Sequence, residues 1–183
     1  MSKQSTTLAL PIAIAMAVGV MGTAWCQTEN RFYETSRTHQ LPKDGQTAVI
    51  VDSSLGGLRR HVSQEPLLQV LADGTVKVGD PFGQGIKMEG KLSAQELQAL
   101  LGYILDQQHF WDIKPDDLCL RPGLKVTDAT TTKVMVECDG SQYEVSCRAL
   151  GGVHTPVAER LSAIDTRLRQ LRDETIQGKH GRR

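Results

Sequence analysis

The stretch Lys133–Cys147 constrains the fold more than any other part of the chain. Asp139-Gly140 suits a two-residue type I′ turn, because both residues tolerate positive φ. That turn sets Val136 opposite Tyr143 and Val134 opposite Val145. Val134, Val136, Cys138, Tyr143, Val145 and Cys147 then share one face, while Met135, Glu137, Gln142 and Glu144 take the other. Alternation this strict predicts an antiparallel sheet with one buried face and one wet face.

A second hairpin is expected over Leu67–Val78. A two-residue loop at Asp73-Gly74 would leave Leu68 and Val70 facing Gly79 and Lys77. A three-residue loop, Ala72-Asp73-Gly74 with Gly74 left-handed, sets Val70 against Val76 and Leu68 against Val78. The second register gathers the apolar residues on one face and is preferred. Thr47–Asp52 reads as a short β-branched strand, broken by Ser53-Ser54-Leu55-Gly56-Gly57. Lys87–Lys91 is an optional edge strand.

Two helices complete the pattern. Ser93-Ala-Gln-Glu96 is a capping box. Leu97, Leu100, Leu101, Ile104 and Leu105 follow at helical spacing, which carries the helix to about Gln108. Phe110-Trp111 would pack as the chain leaves it. Thr155-Pro156 supplies an N-cap and a first-turn proline for a last helix, with Val157, Leu161, Ile164, Leu168 and Leu171 as its stripe. That stripe suits the protein's own sheet better than a coiled-coil dimer, being barely two heptads long. The expected fold is α+β: one antiparallel sheet built from two hairpins plus a short strand, covered on one face by two amphipathic helices. A hairpin–helix unit occurs twice, as a weak internal echo.

The N-terminus sets the compartment. Lys3 is the only charge before an uncharged run from Leu8 to Trp25, and Gly22-Thr23-Ala24 offers small residues for cleavage. This is the layout of a secretory signal. The run of about 18 residues is also long enough for an uncleaved membrane anchor. Lipid attachment at Cys26 is a third route, disfavoured by bulky Trp25. The expected organisation is 1–24 signal peptide or anchor, 25–45 linker or loosely held arm, 46–176 one α+β domain, and 177–183 a basic disordered tail. The protein is therefore expected to be exported, periplasmic or extracellular, with membrane contact only through an uncleaved N-terminal segment.

Charge and composition narrow the partners. Lys plus Arg number 21 and Asp plus Glu number 21, a net charge of +0, so no basic excess serves a phosphate backbone. Aromatics make up 4% of the chain, which argues against base-stacking platforms and sugar-binding troughs. No nucleic acid is expected; an envelope protein or ligand is. Arg59-Arg60-His61 forms a small basic patch, a solvated surface or a rim for an acidic partner.

The segments Glu65-Pro-Leu-Leu, Ala72-Asp-Gly-Thr-Val, Gly79-Asp-Pro-Phe-Gly, Glu89-Gly-Lys-Leu-Ser-Ala-Gln-Glu-Leu97 and Asp128-Ala-Thr-Thr-Thr132 carry a pattern. From about Val49 to Leu171 it resembles a family of small exported bacterial proteins of unassigned function. The resemblance implies export and an α+β fold, and no catalytic motif comes with it.

Candidate sites are few. His109, Cys119 and His154 would make a metal site or a Cys-His nucleophile, but their spacing matches no zinc pattern and no third orienting group is evident. The plainer account has His109 at a helix end and Cys119 packed as a small hydrophobe. No cofactor is expected. Cys138 and Cys147 lie on the buried face at opposite ends of their hairpin, roughly 20 Å apart. A disulfide spans about 7 Å between Cα atoms at most, so the two do not bond to each other. A bridge from either to Cys119 stays open in an oxidising compartment. Neither Ser53–Gly57 nor Gly79–Gly85 has the ending of a phosphate loop, and both read as turns. Asp116-Asp117 lacks the alternating oxygens of a calcium loop. Two functions follow as expectations: a non-catalytic exported module that binds or scaffolds in the envelope, or a metal- or thiol-dependent hydrolase using His109, Cys119 and His154.

Overall fold

The computed structural model describes residues 37–56, 66–80, 85–118 and 129–180. Six strands pair into one antiparallel sheet: β1 (Ala48–Gly56), β2 (Leu68–Leu71), β3 (Thr75–Gly79), β4 (Ile86–Lys91), β5 (Thr130–Cys138) and β6 (Ser141–Arg148). Their spatial order is β4-β3-β2-β1-β5-β6. Among the described residues there are two α-helices, α1 (Ala94–Gly102) and α2 (Pro156–Ile176), so the class is α+β. No described helix is long and apolar enough to cross a membrane.

Both hairpins take the registers that side-chain sorting demands. Leu68 pairs with Val78 and Val70 with Val76, and Gly74 has φ +85 in the turn. Val134 pairs with Val145 and Val136 with Tyr143, with Asp139 and Gly140 both at positive φ. A register shift between Ala48 and Ile50 of β1 marks a bulge. Val49 and Ile50 are both buried there, as an extra residue in one strand allows.

Three expectations need correction. The strand from Thr47 does not break at Ser53 but continues through Gly56, because Ser53, Ser54, Leu55 and Gly56 pair with Lys133, Thr132, Thr131 and Thr130. Backbone ladder bonds hold this stretch without an apolar signal. The sheet has more than two hairpins and a short strand, since the optional edge strand at Lys87–Lys91 does form, as β4 along β3. The tail is ordered as far as His180: Gly178 N–H donates to Thr175, Lys179 N–H to Glu174, and Lys91 N–H donates to the His180 carbonyl.

The helix starts follow their caps. Ser93 N–H donates to Glu96 Oε2 at 2.7 Å, and Glu96 N–H donates back to Ser93 Oγ at 3.2 Å. Thr155 Oγ1 accepts from Ala158 N–H at 3.0 Å, with Pro156 in the first turn. Helix α1 widens at Gly102 into a π turn, Tyr103–Gln107, which closes where the sequence places the helix end. Phe110 then buries its ring edge-on to Tyr143, with centroids 5.8 Å apart, and Tyr143 Oη donates to the Ile113 carbonyl at 2.7 Å. Leu97, Leu101 and Ile104 join Leu161, Ile164, Leu168 and Leu171 in one apolar cluster with the inward residues of the strands.

The leader 1–24, Cys26, Arg59-Arg60-His61 and Cys119 lie outside the described residues. Cys138 pairs with Ser141 beside the turn and Cys147 with Thr132 toward the other end of the hairpin, and no bond joins the two cysteines. Cys147 Sγ lies 3.7 Å from the Leu118 carbonyl.

Candidate functional site

Residues 37–45 belong to the segment expected to be a loose arm, yet Arg37, His39 and Gln40 are held at the β5–β6 turn and the Gly45 carbonyl accepts from Asp73 N–H at the β2–β3 turn. Leu41 packs against the core, and His39 is only 2% exposed. The backbone of His39 is clamped by Gln98 on α1. Its N–H donates to Gln98 Oε1 at 2.8 Å, and Gln98 Nε2 donates to its carbonyl at 2.9 Å. One residue further, Gln40 N–H donates to Asp139 Oδ1 at 2.7 Å, and Asp139 N–H donates to the Gln40 carbonyl at 2.8 Å. These bonds satisfy backbone groups that a buried segment must pair.

The imidazole of His39 sits between two carboxylates. Nδ1 lies 2.9 Å from Asp139 Oδ2, and Nε2 lies 3.1 Å from Asp106 Oδ2 in the π turn. A neutral ring donates from one nitrogen only, so both bonds are donated together by the imidazolium alone. Arg37 adds a second cation, 3.5 Å from Asp139 Oδ2. Burial alone would raise the Asp139 carboxyl. The His39 hydrogen bond, the Gln40 N–H and the charges of His39 and Arg37 outweigh it and hold the carboxyl below its ordinary value.

Cys138 completes the group. Its Sγ lies 3.9 Å from the same Asp139 Oδ2. Burial, and then the Asp139 charge, push the thiol up to about 12, so it is a protonated thiol and no nucleophile as it stands. Among the described residues, His39, Cys138 and Asp139 form the one group of three ligating side chains whose atoms all lie within 4.8 Å of one another.

The residues singled out from the sequence do not converge. His109 is exposed and left-handed (φ 49), just beyond the π turn, at the helix-end position of the plainer account. His154 is exposed ahead of α2. Neither joins a ligating group among the described residues. Asp116 and Asp117 are exposed in a 3₁₀ turn, Pro115–Leu118. His39, Gln98 and Asp106 carried no spacing signal. The adjacency of Cys138 and Asp139 at a type I′ turn was the legible part.

A second buried acid lies elsewhere. Asp52 on β1 sits between Leu68 of β2 and Val134 of β5. It is 2% exposed, and burial pushes its carboxyl up to about 6, with the nearby Asp165 charge adding and Arg172 and Arg169 opposing.

Across the other face of the sheet runs a row of paired residues: Glu89, Lys77, Gln69, Val51, Met135 and Glu144, one from each strand. All are partly or fully exposed. Lys133 and Glu144 form an ion pair at 2.8 Å beside it.

Compared with known proteins, the chain matches no family model, no curated protein and no solved structure.

Proposed function

We propose that this protein is an exported, non-catalytic module that uses the open face of its sheet to bind a protein of the bacterial envelope. The row Glu89–Lys77–Gln69–Val51–Met135–Glu144 carries this reading. It sets two adjacent apolar side chains between polar and charged ones of both signs, which is the apolar-centre, polar-rim arrangement of a protein–protein contact. The balanced net charge fits a protein partner rather than nucleic acid. Ile86 is the one large hydrophobic exposed among the described residues, which fits a protein surface better than a lipid one.

The same reading takes α1 and α2 as the cover of the opposite, apolar face, supported by the cluster their leucines and isoleucines share with the strands. It takes 1–24 as the export leader, supported by its charge and hydropathy layout, and it places the chain with the small exported bacterial proteins whose pattern it resembles. His109 and His154 join no ligating group among the described residues, and Cys119 lies outside them.

The test is site-specific photocrosslinking in intact cells. A crosslinker at Gln69 or Lys77 is expected to trap one discrete partner, which Val51→Lys abolishes. A crosslinker at Gln95, on the exposed side of α1, is expected to trap none. Equal capture from both surfaces, or a cytosolic location of the full-length chain, would refute the proposal.

A further inference from the structure

We infer that His39, Cys138 and Asp139 form a binding site for one zinc(II) ion, which fastens the N-terminal arm to the β5–β6 turn. The inference is independent of the sheet-face reading. The three donors are an imidazole nitrogen, a sulfur and a carboxylate oxygen, the ligand types that zinc takes in tetrahedral sites. Zinc bonds of about 2.0–2.3 Å at tetrahedral angles set neighbouring ligand atoms about 3.3–3.6 Å apart. In the structure Nδ1 and Oδ2 are 2.9 Å apart, and Sγ and Oδ2 are 3.9 Å apart. Shifts of about half an ångström bring both pairs to the required separation. The third pair, the His39 ring nitrogen and Cys138 Sγ, lies within 4.8 Å and has to close by about an ångström at most.

The surroundings meet the other needs of such a site. Asp106 holds the far nitrogen, Nε2, at 3.1 Å. A carboxylate on the second nitrogen of a ligating histidine fixes the ring and its tautomer. Gln98 clamps the His39 backbone from both sides, which limits how far the ring drifts. The Asp139 side chain is 21% exposed and that of Asp106 36%, so an ion and a water as fourth ligand reach the cluster from solvent. Asp139 Oδ1 stays on the Gln40 N–H, leaving Oδ2 for the metal.

Zinc(II) takes the Cys138 sulfur as a thiolate, its proton released to solvent, together with the Nδ1 lone pair of His39 and the Asp139 carboxylate. The two anionic ligands offset the two positive charges of the ion. Arg37, the exposed partner of Asp139 Oδ2, swings into solvent.

Cobalt(II) is the spectroscopic probe, used with the purified protein under a non-thiol reductant. One equivalent is expected to give a thiolate-to-cobalt charge-transfer band that zinc(II) then bleaches. Cys138→Ala abolishes the band, while Cys119→Ser and Cys147→Ala keep it. Asp106→Asn weakens zinc binding about ten- to a hundredfold, as loss of a supporting carboxylate does. The unsubstituted protein gives a readout that does not depend on how the variants fold: zinc(II) moves the ring nitrogen resonances of His39 to a metal-bound Nδ1 with Nε2 protonated. Absence of the band, its loss in Cys119→Ser with survival in Cys138→Ala, or unmoved His39 resonances would each overturn the inference.

Discussion

Asp52 places a carboxyl in the apolar centre of the sheet, and its replacement by Asn has a calculable effect on stability. Its neighbours on the adjoining strands are Leu68 and Val134, and the side chain is raised from the ordinary 3.8 to about 6. A group with this shift binds its proton more tightly in the folded state. Between about pH 4 and pH 6 the folded protein therefore holds a proton that the unfolded chain has lost, and stability falls as pH rises through that window. At about 1.4 kcal/mol per pH unit, the ionised form costs about 3 kcal/mol at neutral pH. Asp52→Asn keeps the shape and removes the ionisation. The substitution is expected to be near neutral at pH 4 and to stabilise by about 3 kcal/mol at pH 7, raising Tm by about 6–12 °C for a domain of this size.

The assay is urea and thermal unfolding of both proteins from pH 4 to pH 8, read as the difference between them. The difference removes the contributions of groups that titrate alike in both. Asp73, Glu96 and Glu174 have carboxyls held below their ordinary values, so their contributions are present above pH 4–5 and are lost as pH falls further. Asp165→Asn removes the like charge that helps raise Asp52 and should narrow the pH-dependent gap. A gap that stays flat from pH 4 to pH 8, or that opens in the acid direction, would refute the burial argument.

Three further outcomes are expected from local geometry. Gly74→Ala sets an L side chain at φ +85 with its Cβ 2.5 Å from the Leu92 carbonyl oxygen, and should lower the urea midpoint by the equivalent of about 1–3 kcal/mol; a neutral result would contradict the turn. Tyr143→Phe strips the 2.7 Å hydrogen bond from the Ile113 carbonyl and should destabilise by about 1 kcal/mol, with hydrogen exchange near residues 110–113 speeding up. Ser93→Ala removes the acceptor for Glu96 N–H and should destabilise by about 1 kcal/mol in the same unfolding assay; an unchanged midpoint would contradict the cap's role.

The parts of the fold legible in the sequence are those whose causes are local. The two hairpin registers follow from turn chemistry within a few residues of the strands they join, and a slip by one residue would turn every apolar side chain to the wet face. The two helix starts follow from capping residues three positions from their partners. The second half of β1 has a distant cause. Nothing in Ser53 or Ser54 marks a strand, and their pairing is imposed by Lys133 and Thr132 of β5. Strand β4 is the intermediate case. Its alternation is weak because it is an edge with Ile86, Lys87 and Glu89 exposed, and its order comes from the ladder to β3.

The candidate site and the burial of Asp52 are hidden for a related reason. In the sequence Asp52 is the last residue of a short strand, and the stretch around His39 is polar, as a linker or loosely held arm is. Polarity in a sequence records that a group needs partners, not whether water supplies them. For His39 the partners come from α1, the π turn and the β5–β6 turn, three elements that meet only when the sheet has formed. For Asp52 the surroundings are Leu68, Val134 and the acid and arginines of α2, equally remote in the chain. Cys138 and Asp139 are legible in part because adjacency is local. Strict alternation sets the thiol on the buried face and the carboxylate in the turn, and the ring of His39, arriving from the arm, joins them only in the folded protein.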